Sequence, residues 1–374
     1  MEEKQVLIIC GEPSGELHAS NLAREIKRIN PAVKISAVGG ALLKEAGASI
    51  IYDIKGLSAF GFFDVLKKLP VFFGLKKFLL SYIEKNRPDL IVLVDFGGFN
   101  LRLAKALKNK VPVAYYICPQ VWASRPGRVK TIRKYITRAL VIFPFEKDFY
   151  AAHGVDAQFI GHPLLDIVKP SMAKEDFLRQ NSLGINNLTI ALLPGSRNAE
   201  IRNILPLMAE AASLISKKIN AVQFIIAKTK GVSEKEYTAA LKGRLEGAKI
   251  IESKTYDCLN SADFALVASG TATLETALIG KPFSVIYKMG LLNYLLYRPQ
   301  VKVPFASIVN ILAERKIVEE FIQFDARPKK IAGYVIDTIA DAQKLKTIKE
   351  NLSLVVHSLG EPGAAFRAAR LLLS

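Results

Sequence analysis

Two passes of the same alternation limit what this 374-residue chain can fold into. Short β-rich apolar runs alternate with stretches whose apolar residues recur at helical spacing. In the first pass, residues 6–10 read as a buried strand, 11–15 as a turn, and 16–29 as a helix with Leu17, Leu22, Ile26 and Ile29 on one face. Further strands are predicted over 35–38, 90–94, 113–117, 140–143 and 158–160, with a helix over 100–108. A polar stretch over 171–187 separates the passes. The second then opens at 189–193 and continues through 222–227, 249–251, 264–268 and 283–287. Such an order predicts an α/β protein with parallel sheets covered by helices. We expect two Rossmann-like domains, 1–163 and 164–340, with a cleft between them. C-terminal helices over 341–374 are expected to pack across the domains or against a partner subunit. Open sheets of this kind bind ligands beyond the carboxyl ends of their strands, so the loops there are the places to look.

The first loop, Gly11-Glu12-Pro13-Ser14-Gly15-Glu16, follows a strand and opens a helix. Its glycines permit a tight turn and close approach by a ligand. It is not G-x-G-x-x-G, and two carboxylates in a phosphate cradle would repel the phosphates, so a dinucleotide-dependent dehydrogenase is disfavoured. Asp95 ends an apolar strand and precedes Phe96-Gly97-Gly98-Phe99-Asn100. A partly buried carboxylate there suits proton abstraction, while an aspartate before glycines is also an ordinary turn residue. In the second pass, Leu193-Pro194-Gly195-Ser196-Arg197 and Ser269-Gly270-Thr271-Ala272-Thr273 each lie between a strand and a helix. Backbone N–H groups at two such turns, with Arg197, could clasp a diphosphate, and Glu275 could accept ribose hydroxyls.

Charge narrows the partners. Lysine and arginine outnumber aspartate and glutamate 52 to 34, for a net charge of +18. The excess is uneven: from 96 to 145 there is no acidic residue, while ten basic ones fall between Arg102 and Arg138. That favours anionic lipid or a phosphorylated substrate. A nucleic-acid partner is not expected, because no nucleic-acid motif is present. Over 60–80, apolar residues including Phe60, Phe62, Phe63, Leu66, Phe72 and Phe73 interleave with Lys67, Lys68, Lys76 and Lys77. This fits a segment in the headgroup layer or against acyl chains, with burial against a neighbouring domain as the alternative. Trp122 with Arg125 and Arg128, and the run 291–298, are further membrane candidates. No apolar run approaches a membrane span and no secretory leader is seen, so a cytoplasmic, membrane-surface protein is expected. Cys10, Cys118 and Cys258 have no metal spacing and the four histidines are scattered, so no metal and no cofactor are expected.

These motifs together resemble the lipid-A-disaccharide synthase family. The resemblance rests on Gly11-Glu12-Pro13-Ser14-Gly15-Glu16-Leu17, Val94-Asp95-Phe96-Gly97-Gly98-Phe99-Asn100, Pro119-Gln120-Val121-Trp122-Ala123 and Phe143-Pro144-Phe145-Glu146. It continues through Phe159-Ile160-Gly161-His162-Pro163, Leu192-Leu193-Pro194-Gly195-Ser196-Arg197, Ser269-Gly270-Thr271-Ala272-Thr273-Leu274-Glu275 and Tyr287-Lys288-Met289. It spans nearly the whole chain, although Glu16 stands where an aspartate is usual and Gly98 where some relatives carry an acid. The resemblance implies a GT-B fold, peripheral attachment to the inner face of the inner membrane of a Gram-negative bacterium, and a homodimer through the C-terminal domain. It implies inverting transfer from UDP-2,3-diacylglucosamine to 2,3-diacylglucosamine 1-phosphate (lipid X), giving a β-1,6 disaccharide phosphate and UDP. Asp95 is then the expected base, with Glu12 and Glu16 next in line. Gly195, Ser196, Arg197, Ser269, Gly270, Thr271, Glu275 and, by family position alone, Asn310 are expected at UDP. The alternatives are another GT-B enzyme such as a UDP-sugar 2-epimerase, or a non-catalytic lipid-binding protein.

Overall fold

The computed structural model describes residues 4–57 and 62–374, with the side chains of 62–67 and of Tyr297 outside the description. The chain forms two compact units. One comprises Met1–Asp166, Gln300–Lys302 and Leu359–Ser374, the other Ile167–Pro299 and Val303–Ser358. The expected C-terminal helical segment is therefore divided. The helix Ala342–Ser358 belongs to the second unit, while the helix Ala364–Leu373 returns to the first.

The first unit holds a parallel sheet of seven strands: β1 (Gln5–Ile9), β2 (Lys34–Gly39), β3 (Ser49–Asp53), β4 (Leu90–Val94), β5 (Val113–Tyr116), β6 (Arg138–Val141) and β7 (Ala157–Phe159). Their spatial order is β3-β2-β1-β4-β5-β6-β7, so the order reverses between β1 and β4. Ile8 of β1 lies opposite Ala37 of β2 on one side and Val92 of β4 on the other. Burial on both faces explains why β4 reads as an unbroken run, Leu-Ile-Val-Leu-Val, rather than an alternating one.

The second unit repeats the plan with six strands: β8 (Leu188–Leu193), β9 (Val222–Lys228), β10 (Lys249–Glu252), β11 (Phe264–Ala268), β12 (Phe283–Tyr287) and β13 (Glu320–Ile322). They are ordered β10-β9-β8-β11-β12-β13, with the reversal between β8 and β11. The helix Asn198–Ser216 buries Ile201, Ile204, Leu205, Met208 and Ile215 against this sheet, in one core with Ile190, Phe264 and Phe321. Burying side chains of that size stabilises by about 1.5–3 kcal/mol each.

The sheet-edge strands β3 and β13 are absent from the sequence reading. Edge strands are covered less, so β3 carries no buried residue and no apolar run marks it. The segment 60–80 falls largely within one helix, Phe62–Asn86, which runs through Pro70. Its buried stripe is Leu75, Leu79 and Ile83, at four-residue spacing. Among the described residues, no helix is long and apolar enough to cross a membrane.

Candidate active site

Each reversal of strand order brings two of the sequence motifs together. In the first unit, the loops after β1 and β4 emerge side by side. Gly11 is in contact with the Phe96 ring, which a Cβ at position 11 would overlap. A Cβ at Gly15 would lie 3.7 Å from the Cβ of Asp95. Glycine in the first loop thus lets the second settle onto it.

After β4 the backbone turns through two consecutive left-handed residues, Asp95 (φ 46°) and Phe96 (φ 51°). Such conformations cost on the order of 1–3 kcal/mol each for non-glycine residues and persist where surroundings impose them. Here the Tyr115 hydroxyl, from fully buried β5, donates to the Asp95 carbonyl at 2.6 Å. The fully buried Asn100 donates from Nδ2 to the same oxygen at 2.8 Å. Ile117, just past β5, is also left-handed (φ 62°), a rare state for a β-branched residue.

The Asp95 side chain is half-buried. Burial, then the nearby Glu12 carboxylate, push its pKa up from 3.8 to about 6, and the Phe96 N–H partly opposes them. It faces a cavity of about 380 Å³ whose lining includes Gly97, Ile117, Pro119, Arg125 and Arg128. The lining also takes in the short helix Val121–Ser124 and the turn Pro126–Arg128. This wall is pinned from behind: the indole of Trp122 donates to Glu146 Oε1 at 2.9 Å. Ile142 and Phe143 donate their N–H groups to Glu146 Oε2 at 3.2 and 3.1 Å. Glu146 is fully buried, and burial pushes its pKa up to about 7.

Glu12 caps the helix Pro13–Ile29 by position and lies near enough to raise Asp95. Glu16 is engaged within the fold. It is buried, and its Oε1 accepts N–H groups from Gly40 and Leu42 at 2.9 Å and from Leu43 at 3.4 Å. It therefore secures the start of the helix Ala41–Glu45.

In the second unit, the loops after the adjacent strands β8 and β11 hold the other motif pair. Gly195 is left-handed (φ 110°) and a side chain there would overlap Glu200. The N–H groups of Ser196 and Arg197, expected at a phosphate, donate instead to Glu200 Oε2 at 2.8 and 3.3 Å. Arg197 also pairs with Glu200 Oε1 at 2.9 Å. An internal carboxylate thus sits where an anion was expected, as a capping box at the start of the helix Asn198–Ser216.

The loop after β11 is more open. Gly270 (φ 143°) and Thr271 are exposed at the start of the helix Thr271–Leu278. Ser269 donates through Oγ to the Ala306 carbonyl at 2.8 Å. Glu275, one turn on, accepts from the Tyr256 hydroxyl at 3.2 Å, and burial raises its pKa.

Asn310 is engaged within the fold as well. It is fully buried, and its Nδ2 donates to the Val318 carbonyl and Glu320 Oε1 at 2.9 and 2.8 Å. Its Oδ1 accepts from Ile317 and Val318 at 2.9 and 3.0 Å. Every hydrogen-bonding valence of the amide is used inside the protein. Glu320 also accepts from the N–H groups of Ala306 and Ser307, so the Asn310–Glu320 pair shapes the segment against which Ser269 rests.

Of the expected lipid-facing residues, Phe60 lies outside the described residues, as do the side chains of Phe62, Phe63 and Leu66. Phe73 is 65% exposed and Lys77 is exposed, while Lys76 is half-buried. Phe72 turns inward instead, its ring 5.8 Å from that of Phe96 and 6.2 Å from that of Phe99. It falls on the same side of its helix as the buried stripe and packs behind the Asp95 loop.

Sequence reading missed Tyr115, Tyr256, Glu200 and Glu320. Tyr115, Tyr256 and Glu320 act through contacts to segments elsewhere in the chain that no local pattern marks, whereas Glu200, three residues after Arg197, is a capping-box position that local spacing could have found. Asn100 and Glu146 stood inside motifs without an assigned role.

A lipid-A-disaccharide synthetase family model matches residues 6–371. The lipid-A-disaccharide synthase of Syntrophus aciditrophicus is 40% identical over 378 residues, covering 100% of this chain and 98% of that protein. That of Myxococcus xanthus is 36% identical, covering 99% and 97%. Among solved structures, UDP-GlcNAc 2-epimerase from Neisseria meningitidis bound to UDP-GlcNAc aligns with a TM-score of 0.64 at 13% identity, covering 95% of this chain and 97% of that one. A glycosyltransferase from Rickettsia africae aligns with a TM-score of 0.59 at 13% identity, covering 100% of each. The structural likenesses establish the GT-B fold that epimerases and transferases share. The match over 6–371 and the two full-length relatives go further: this chain belongs to the lipid-A-disaccharide synthetase family.

Proposed function

We propose that the protein is an inverting glycosyltransferase that moves 2,3-diacylglucosamine from UDP-2,3-diacylglucosamine to the 6-hydroxyl of 2,3-diacylglucosamine 1-phosphate. The acceptor oxygen attacks the anomeric carbon, Asp95 takes its proton, and the bond to UDP breaks on the opposite face. The products are a β-1,6 disaccharide 1-phosphate and UDP. The observation that carries this reading is Asp95 at the reversal point of the first sheet, facing a cavity with a pKa near 6. A carboxylate with that pKa is ionised at pH 7.5 and a stronger base than an ordinary aspartate.

The second unit holds the donor. The open Gly270–Thr271 turn and Arg197 support a diphosphate site, and the partly buried Glu275 supports a ribose contact. Cation and N–H groups there would stabilise charge on departing UDP. The exposed Val71, Phe73 and Phe78, with Lys77 beside them, support attachment of the helix Phe62–Asn86 to an anionic membrane surface. A homodimer through the second unit belongs to the same proposal, supported by exposed Leu291, Leu292 and Leu295. An epimerase is not favoured, because that likeness rests on 13% identity against 40% for a named synthase.

The test is a radiolabelled transfer assay with both lipid substrates on wild type, Asp95→Ala and Arg197→Ala. Disaccharide phosphate formation by wild type, reduced at least about 10³-fold in Asp95→Ala, is expected. An inactive wild type would end the synthase reading, and a fully active Asp95→Ala would pass the base to Glu12.

A further inference from the structure

We propose that Arg125 and Arg128 form a phosphomonoester site in the Asp95 cavity, and that it takes the anomeric phosphate of the acceptor sugar. The inference rests on the acceptor reading given above. Both arginines line the same cavity of about 380 Å³ as Asp95. They come from a different loop of the same unit: Arg125 follows the helix Val121–Ser124, and Arg128 ends the turn Pro126–Arg128.

Their surroundings fit an absent anion. Arg128 is half-buried and has no carboxylate within ion-pair distance among the described residues. Burial, then the neighbouring Arg125 and Arg102, hold its pKa below the ordinary value. Arg125 is exposed, and its guanidinium donates a long hydrogen bond, 3.4 Å, to Gln300 Oε1. Three like charges are thus gathered in a stretch of fifty residues, 96–145, without an acid. Left alone, such a group repels itself. A dianionic phosphate would relieve it with bidentate, charge-assisted hydrogen bonds. Asp95 does not serve as the counter-charge, since no ion pair joins it to either arginine.

The chemistry of the acceptor gives this pairing a purpose. Its attacking 6-hydroxyl and its anomeric phosphate are carried from the two carbons that flank the ring oxygen, so one cavity can meet both groups. A base for the hydroxyl and a guanidinium pair for the phosphate, in one cavity, would orient that ring and select the phosphorylated sugar. The wall is braced by Trp122 on Glu146, so the arginines hang from a fixed frame. Trp122 is the only tryptophan in the chain, and its fluorescence therefore reports on this wall.

Steady-state transfer should be measured in detergent for wild type, Arg125→Gln, Arg128→Gln and Arg128→Lys, with the phosphorylated acceptor and with 2,3-diacylglucosamine lacking the phosphate. The expected result is a rise of about 10- to 100-fold in acceptor KM for the glutamine variants, partial rescue by lysine, and a donor KM changed less than about twofold. The phosphate-free acceptor should be equally poor with wild type and variants. A rise in donor KM instead would assign the arginines to UDP and overturn the proposal. So would an unchanged acceptor KM accompanied by weaker pelleting with phosphatidylglycerol vesicles, which would assign them to bilayer headgroups. In parallel, glucosamine 1-phosphate is titrated against Trp122 fluorescence, with a saturable change expected in wild type and not in Arg128→Gln. If wild type transfers nothing yet this titration saturates, the synthase reading fails and the phosphate site stands. If wild type transfers normally and the arginine variants match it, the site fails alone. Should a glutamine variant unfold, Arg128→Lys with both acceptors still decides.

Discussion

Asp95 sits where proton transfer needs an ionised carboxylate and where burial disfavours one. Its pKa of about 6 lies above the ordinary 3.8. The folded state therefore binds this proton more tightly than the unfolded chain, so ionised Asp95 lowers stability. The cost is absent below pH 3.8, grows between 3.8 and 6, and is fully present above. Two outcomes follow. The kcat/KM of wild type should fall tenfold per unit as pH drops below about 6. At pH 8, Asp95→Asn should lose transfer yet melt at a higher temperature, by the equivalent of roughly 1–3 kcal/mol. A lower melting temperature would mean that the carboxylate is a structural support. Glu146 offers an optical counterpart. Both of its oxygens accept from N–H donors, and protonation near pH 7 removes the charge that strengthens those bonds, the one from Trp122 among them. Trp122 fluorescence should titrate with a midpoint near 7 in wild type and lose that step in Glu146→Gln.

Among the elements, the loop after β1 matters because it supports the loop after β4. Adding a methyl group at Gly11 forces the Phe96 ring aside, and Asp95 is its neighbour. Displacement of a catalytic group by about 1 Å can cost on the order of 100-fold. We expect Gly11→Ala to reduce kcat by about 10- to 100-fold with an unchanged far-UV circular dichroism spectrum. Gly74 is a useful contrast, since a Cβ there meets nothing within 4 Å. In a helix interior Gly74→Ala should stabilise by roughly 0.5–1 kcal/mol. The helix Phe62–Asn86 serves two masters: Leu75, Leu79 and Ile83 hold it to the unit while Phe73 and Phe78 face outward. Phe73→Asp with Phe78→Asp should therefore reduce pelleting with anionic vesicles and leave the melting temperature nearly unchanged. Equal pelleting would place the lipid contact elsewhere.

For the whole molecule, the last helix decides how the chain closes. It leaves the second unit after Ser358 and lies against the helix Pro13–Ile29. Ala364, Ala368, Ala369 and Leu372 are buried there. The Arg367 guanidinium donates to the Ile160 carbonyl at 2.8 Å, and Lys4 donates to the Leu373 carbonyl at 2.9 Å. Deleting 359–374 uncovers that face of the first unit. Calorimetry should show the transition of the first unit moved down by several degrees or lost, with that of the second unit kept. A single unchanged transition would show that the helix contributes no stability.

Local pattern determined a good deal of this protein. Parallel strands buried on both faces must be continuous apolar runs, so β1, β4, β8 and β11 were legible, and so was the two-pass α/β plan. The motifs at their carboxyl ends were legible for the same reason, because a strand-to-helix turn needs glycines and small caps. What pattern could not carry was the use of each polar atom. Glu16, Asn310 and the N–H groups of Ser196 and Arg197 looked available to a ligand, yet each is engaged within the protein. Their partners lie on other loops or come from capping geometry, and chain spacing does not encode whether a valence is already filled. Only the packed structure decided that Asp95 keeps a cavity in front of it while its backbone is held by Tyr115 and Asn100. That cavity opens between the loops that follow the adjacent strands β4 and β5, beside the point where strand order reverses, and packing rather than local pattern decides which loops part there.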